Sequence, residues 1–106
     1  MIKNWNVEII RNKTHEILKK SKQHFDFYLP KYNIVIECQG KQHYVPVEIF
    51  GGEDGYKKTV KLDDIKKKMC KENNIELFEY PYFFTKKEKE QLLFRIKKRI
   101  NEKDTN

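Results

Sequence analysis

The chain has 106 residues with 23 Lys and Arg against 16 Asp and Glu, a formal charge of +7, so it can hold one compact domain and not two of ordinary size. The charge favours polyanionic partners, nucleic acid or an acidic membrane surface, without choosing between them. No apolar run approaches the roughly 20 residues that cross a bilayer and the N-terminus lacks the apolar core of a signal peptide, so the expectation is a soluble, unsecreted, cytoplasmic protein with no membrane partner.

In chain order, residues 5–11 carry Val7, Ile9 and Ile10 among polar residues and predict a strand, and residues 14–20 predict one or two helical turns. Phe25, Phe27 and Leu29 then alternate with Asp26 and Tyr28 before Pro30, and residues 33–38 form a β-branched run ending at Gly40. With only Lys31 and Tyr32 after the proline, the two runs predict an antiparallel hairpin. Residues 50–55 hold three of the four glycines and read as an irregular, mobile loop. Over residues 56–73, Leu62, Ile65, Met69 and Cys70 fall three to four apart among lysines, the period of an amphipathic helix, with Asn73 and Asn74 as its stop. Residues 75–80 predict a strand ended by Pro81, and a last helix follows through Leu92, Leu93, Ile96 and Ile100, opened by Thr85 and Glu88 in capping-box spacing. Residues 1–4 and 102–106 are expected to fray. Cys38 and Cys70 sit in apolar patterns without metal-site spacing, which predicts buried free thiols. Strand, hairpin, helix, strand, helix predicts a single α/β domain over residues 1–106, a mixed sheet flanked by helices.

Asp26 and Glu37 are carboxylates inside predicted strands. One reading puts each on the solvent face of a half-buried sheet. The other has the hairpin bring them side by side, where they repel unless a cation lies between them. Oxygen ligands select a hard ion such as magnesium or manganese. Gln39 shares a strand face with Glu37, and the Cys38 carbonyl between them is a further oxygen donor. His43 is either a surface histidine or a proton-transfer group.

The segments Phe25-Asp26-Phe27-Tyr28-Leu29-Pro30, Tyr32-Asn33-Ile34, Ile36-Glu37-Cys38-Gln39-Gly40, Gln42-His43-Tyr44 and Phe50-Gly51-Gly52 resemble the very-short-patch-repair-like, homing-endonuclease-type branch of the PD-(D/E)XK nuclease superfamily. The resemblance covers about residues 7–80 and implies a restriction-endonuclease-like sheet, a divalent-metal-dependent endodeoxyribonuclease activity on DNA, and Mg²⁺ or Mn²⁺ as cofactor. It implies that Asp26 and Glu37 are the signature acids, with Gln39 standing where the signature lysine would be. Lys41 either replaces that lysine's charge or touches phosphate. The resemblance further implies that His43 pairs with an aspartate on the following helix, where Asp63 matches and Asp64 is adjacent. The plain alternative for Asp63 is a solvated i, i+4 pair with Lys67. Relatives of this branch also carry an N-terminal glutamate, and neither Glu8 nor Glu16 fits its position.

Lys57, Lys58, Lys61 and Lys66 on the first long helix, with Lys41, are candidate phosphate contacts, and Lys67, Lys68, Lys97, Lys98 and Arg99 add to the basic surface. The reading is therefore a nuclease that hydrolyses phosphodiesters through Asp26, Glu37, the Cys38 carbonyl, Gln39, His43 and Asp63. The alternative is a catalytically weak or inactive nucleic-acid-binding module of the same fold, and a further rival is a basic interaction protein with an acidic partner. Nicking as a monomer and double-strand cutting as a homodimer are both open.

Overall fold

Six main elements, β1 (Ile10–Lys13), β2 (Phe25–Leu29), β3 (Ile34–Gln39), α1 (Gly52–Glu72), β4 (Glu76–Pro81) and α2 (Lys86–Asp104), carry the fold in the computed structural model, which describes residues 5–15, 18 and 23–105. The strands form one mixed sheet in the order β1-β2-β3-β4. β1, β2 and β3 are antiparallel, and β4 joins β3 in parallel after the crossover through α1.

The expected hairpin is present: β2 and β3 pair with Phe27 opposite Ile36 and Leu29 opposite Ile34. Asn33, in a left-handed conformation at φ 51°, ends its turn, and Tyr28 donates to its side chain at 2.8 Å. Alternation along β3 then separates two cores. Ile34 and Ile36 pack with Leu29, Tyr32 and the α2 residues Leu92, Ile96 and Ile100. On the other face Val35 packs with Phe25, Tyr28, Ile75 and Cys70 of α1. Each helix thus covers one face of the sheet.

Several expectations are corrected. The first strand is Ile10–Lys13, not residues 5–11, because Trp5, Val7 and Ile9 pack against the α2-side core rather than entering the ladder. Of the helical turns expected at residues 14–20, residues 16, 17, 19 and 20 lie outside the described residues; Leu18 is fully buried. The glycine-rich stretch is not an irregular loop: a 3₁₀ turn covers Glu48–Phe50 and α1 starts at Gly52. Gly51 is the helix N-cap at φ 93°, and a Cβ on Gly55 would meet the Phe50 carbonyl oxygen at 1.8 Å. Those glycines therefore let the helix start press against the preceding turn. Residues 102–104 belong to α2, which runs to Asp104; that carboxylate accepts from the Tyr32 hydroxyl at 2.9 Å, while Lys103 donates to the Tyr32 carbonyl. Residues 1–4 and 106 lie outside the described residues. Among the described residues no helix is long and apolar enough to cross a membrane.

Candidate active site

Val35, Glu37 and Gln39 point to the α1 side of β3, and all three are buried. That makes Glu37 and Gln39 the buried polar pair of the sheet. The helix above them accommodates this. Asp63, Lys66 and Cys70 lie three and four residues apart, on one face of α1. This stripe is apolar at its Cys70 end, over the core, and polar where it passes Glu37. Leu62 and Ile65 are accordingly only half-buried.

Asp26 enters from β2. Phe25 and Tyr28, three residues apart, stack in the same core, so the strict alternation of β2 breaks at Asp26. Asn12, on the neighbouring strand, takes φ 50°. The backbone groups released there are satisfied by carboxylates: the Asp26 N–H donates to Glu37 Oε2 at 2.8 Å, and the Cys38 N–H donates to Asp26 Oδ2 at 2.9 Å. The two acids therefore stand side by side, each held by a backbone group of the opposite strand. This removes the reading in which each merely faces solvent.

Lys66 Nζ binds Glu37 Oε1 and donates to the His24 carbonyl at 2.9 Å. Its side chain is only 15% exposed and that of Glu37 7%, so it differs from the solvent-facing phosphate contact expected of it. Burial pushes the Glu37 carboxyl above its ordinary range, partly opposed by the Lys66 ammonium and the Asp26 N–H.

His43 stands on a 3₁₀ turn, Lys41–His43, and its Nδ1 lies 2.7 Å from Asp63 Oδ2. Against a carboxylate that nitrogen carries the proton, so the neutral ring keeps its lone pair on Nε2. The competing Asp63–Lys67 pair does not form. Lys67 bonds Glu79 on β4 at 3.0 Å instead, and Asp64 is exposed.

A cavity of about 450 Å³ brings together Asp26, Glu37, Cys38, Gln39, His43 and Asp63, with Lys66, Gln23, His24 and Gln42 completing its wall. Every residue expected in catalysis or metal binding thus lines one space. Lys41, Lys57, Lys58 and Lys61 do not line it and are exposed. At about 100° per residue, Lys57, Lys58 and Lys61 face away from the Asp63–Lys66–Cys70 stripe. Cys70 is the buried free thiol expected, whereas Cys38 is free and exposed, because the core on its side of the sheet stops at Ile36.

Sequence reasoning missed three features. Lys66 was expected on the solvent side, and nothing in a lysine-rich helix marks it as the lysine that turns inward. Tyr44, which donates to Gln39 Oε1 at 2.6 Å, gave no signal. Neither did Gln23, whose Nε2 donates to the Leu62 carbonyl at 3.2 Å while its buried Oε1 has no hydrogen-bond partner.

Among the described residues no group of three His, Cys, Asp or Glu side chains forms a ready metal cluster. The donor chemistry nevertheless fits a hard ion. Magnesium commonly takes one or two carboxylates and otherwise water, and here two carboxylates meet, with the orphan Gln23 oxygen on the same cavity wall.

No family model and no solved structure matches the chain. It is similar to the uncharacterized protein 307L of Invertebrate iridescent virus 6, with 34% identity over 58 residues, 54% of this chain and 29% of that protein. The chain therefore spans well under two thirds of the relative's length.

Proposed function

We propose that the chain is a divalent-metal-dependent nuclease that hydrolyses phosphodiester bonds in DNA. The observation that carries this reading is the convergence of an adjacent carboxylate pair, Asp26 and Glu37, with a carboxylate-oriented imidazole, His43, in one cavity. Asp26 and Glu37, with the Cys38 carbonyl or Gln39, would hold Mg²⁺ or Mn²⁺. When bound, such an ion supplies Lewis-acid polarisation of the scissile phosphate and acidifies water. His43 Nε2 accepts the proton of the attacking water as its oxygen bonds to phosphorus. Asp63 holds the ring in the tautomer that makes this possible and stabilises the imidazolium that results. The P–O bond to the leaving oxygen then breaks. Gln39, fixed by Tyr44, is a neutral wall of the site rather than a source of charge.

The test is incubation with supercoiled plasmid in Mg²⁺ or Mn²⁺ beside a metal-free control. Conversion to nicked or linear DNA only with metal is expected, and unchanged supercoiled DNA under both ions overturns the assignment. A second reading, a nucleic-acid-binding module of the same fold without turnover, is favoured by one observation: both Glu37 oxygens already have protein donors. Salt-sensitive DNA binding without metal-dependent cleavage would select it.

A further inference from the structure

We propose that Lys66 is a built-in cation of the carboxylate site, competing with a divalent ion for Glu37, so that metal enters only as the ammonium leaves. The inference rests on the metal-site reading of Asp26 and Glu37 but concerns binding rather than cleavage. Glu37 Oε2 is occupied by the Asp26 N–H and Oε1 by Lys66, while Asp26 Oδ2 takes the Cys38 N–H. An ion held by both acids therefore meets, on Glu37, one oxygen facing the Asp26 N–H and one that carries the Lys66 charge. An ammonium and a divalent cation on the same buried oxygen repel strongly, and little solvent is present to screen them. Lys66 is also anchored at a second point, the His24 carbonyl, at 2.9 Å. Its ammonium lies 5.9 Å from the centroid of the Phe25 ring, so its position is built and not a passing surface contact.

The chemistry explains why the acids can sit together without metal. Two ionised carboxylates in a half-buried cleft repel unless a positive charge stands beside them, and Gln39 supplies none. Lys66, reaching down from α1, supplies it. Once displaced, its charge sits on a flexible stem at the cavity wall, where a phosphate is its natural next partner.

The test is calorimetric titration of the whole chain with Mn²⁺ alone, in parallel with Lys66→Met and Lys66→Gln, and thermal melting of each with and without the ion. Both variants should bind Mn²⁺ about tenfold or more tightly than the parent, the size of an ordinary coupling between two ligands. Mn²⁺ should also raise their melting temperatures further than it raises the parent's. The glutamine variant keeps a hydrogen bond to Glu37 and serves if the methionine variant does not fold. Equal Mn²⁺ affinity in parent and variants overturns the competition, whatever the plasmid assay gives. Tighter binding by the variants of a chain that never cleaves DNA supports the competition while the nuclease reading fails. No binding by parent or variants overturns both.

Discussion

At the residue scale the two acids are not equivalent. The Asp26 carboxylate accepts from the Cys38 N–H at the edge of the cavity, whereas Glu37 is buried and is the counter-charge of a largely buried lysine. In the nuclease reading Asp26→Asn should abolish plasmid cleavage while leaving the urea midpoint within experimental error. Glu37→Ala should abolish cleavage and also destabilise the fold, because it strands a largely buried ammonium; breaking such a pair costs about 3 kcal/mol. A Glu37→Ala variant as stable as the parent would show that Lys66 swings freely into solvent. The cysteines give a second contrast. Burial pushes the Cys70 thiol up from its ordinary value to about 11. The unfolded chain therefore ionises first, so stability present below pH 9 is lost as pH rises towards 11, by up to about 1.4 kcal/mol per pH unit. Urea unfolding of parent and Cys70→Ala at pH 8, 9 and 10 should show a steeper fall for the parent, and parallel curves would exclude the burial cost. At pH 8 a maleimide should label exposed Cys38 and leave Cys70 until the chain unfolds. The acids were legible because carboxylates interrupt strongly β-forming runs. Lys66 was not, since in a lysine-rich helix nothing local distinguishes the lysine that turns inward from those that face water.

Elements declared themselves where short-range chemistry sets them. Thr85 accepts from the Glu88 N–H at 3.2 Å and Glu88 returns the bond to the Thr85 N–H at 3.2 Å, the capping box read from spacing alone. Thr85→Ala should therefore cost about 1 kcal/mol in denaturant unfolding, and no measurable change would mean that packing of Leu92, Ile96 and Ile100 alone sets the start of α2. The start of α1 was misread because glycine has two opposite uses. It loosens a loop, and it also lets backbone approach backbone, and only the fold shows that Gly55 lies against Phe50. Gly55→Ala should be destabilising even though alanine is the better helix former in isolation. A stabilised Gly55→Ala would mean that the turn before α1 gives way freely. The helix period was read correctly as a period and incompletely as a face. Half of the sheet-facing stripe is polar, so hydrophobic periodicity pointed at Cys70 and stopped short of Lys66 and Asp63.

Over the whole molecule, the two helices lie on opposite faces of the sheet, and the candidate site belongs to the α1 face alone. Net charge does not reveal this, because +7 is a sum over both faces and over pairs that cancel. On the α2 side Arg99 and Lys103 are tied to Glu76, and on the α1 side Lys67 is tied to Glu79. Lys41 is exposed, outside these pairs, and stands on the turn that carries His43. Lys57, Lys58 and Lys61 act from the outer side of α1, and Lys97 and Lys98 from the far side of the sheet. If DNA reaches the cavity, these groups should separate in the salt dependence of binding, where each phosphate neutralised contributes a slope of about −0.9. Anisotropy of a labelled duplex at several salt concentrations, with metal withheld, measures it. Lys41→Ala should shallow the slope by nearly one such increment. The Lys57, Lys58 and Lys61 triple alanine variant should shallow it by less than three, since outer-face charges act at a distance and are screened. Lys97→Ala with Lys98→Ala should leave it unchanged. A slope that responds to the α2 lysines and ignores Lys41 would place DNA on the opposite face of the sheet, too far from Asp26, Glu37 and His43 for them to act on it.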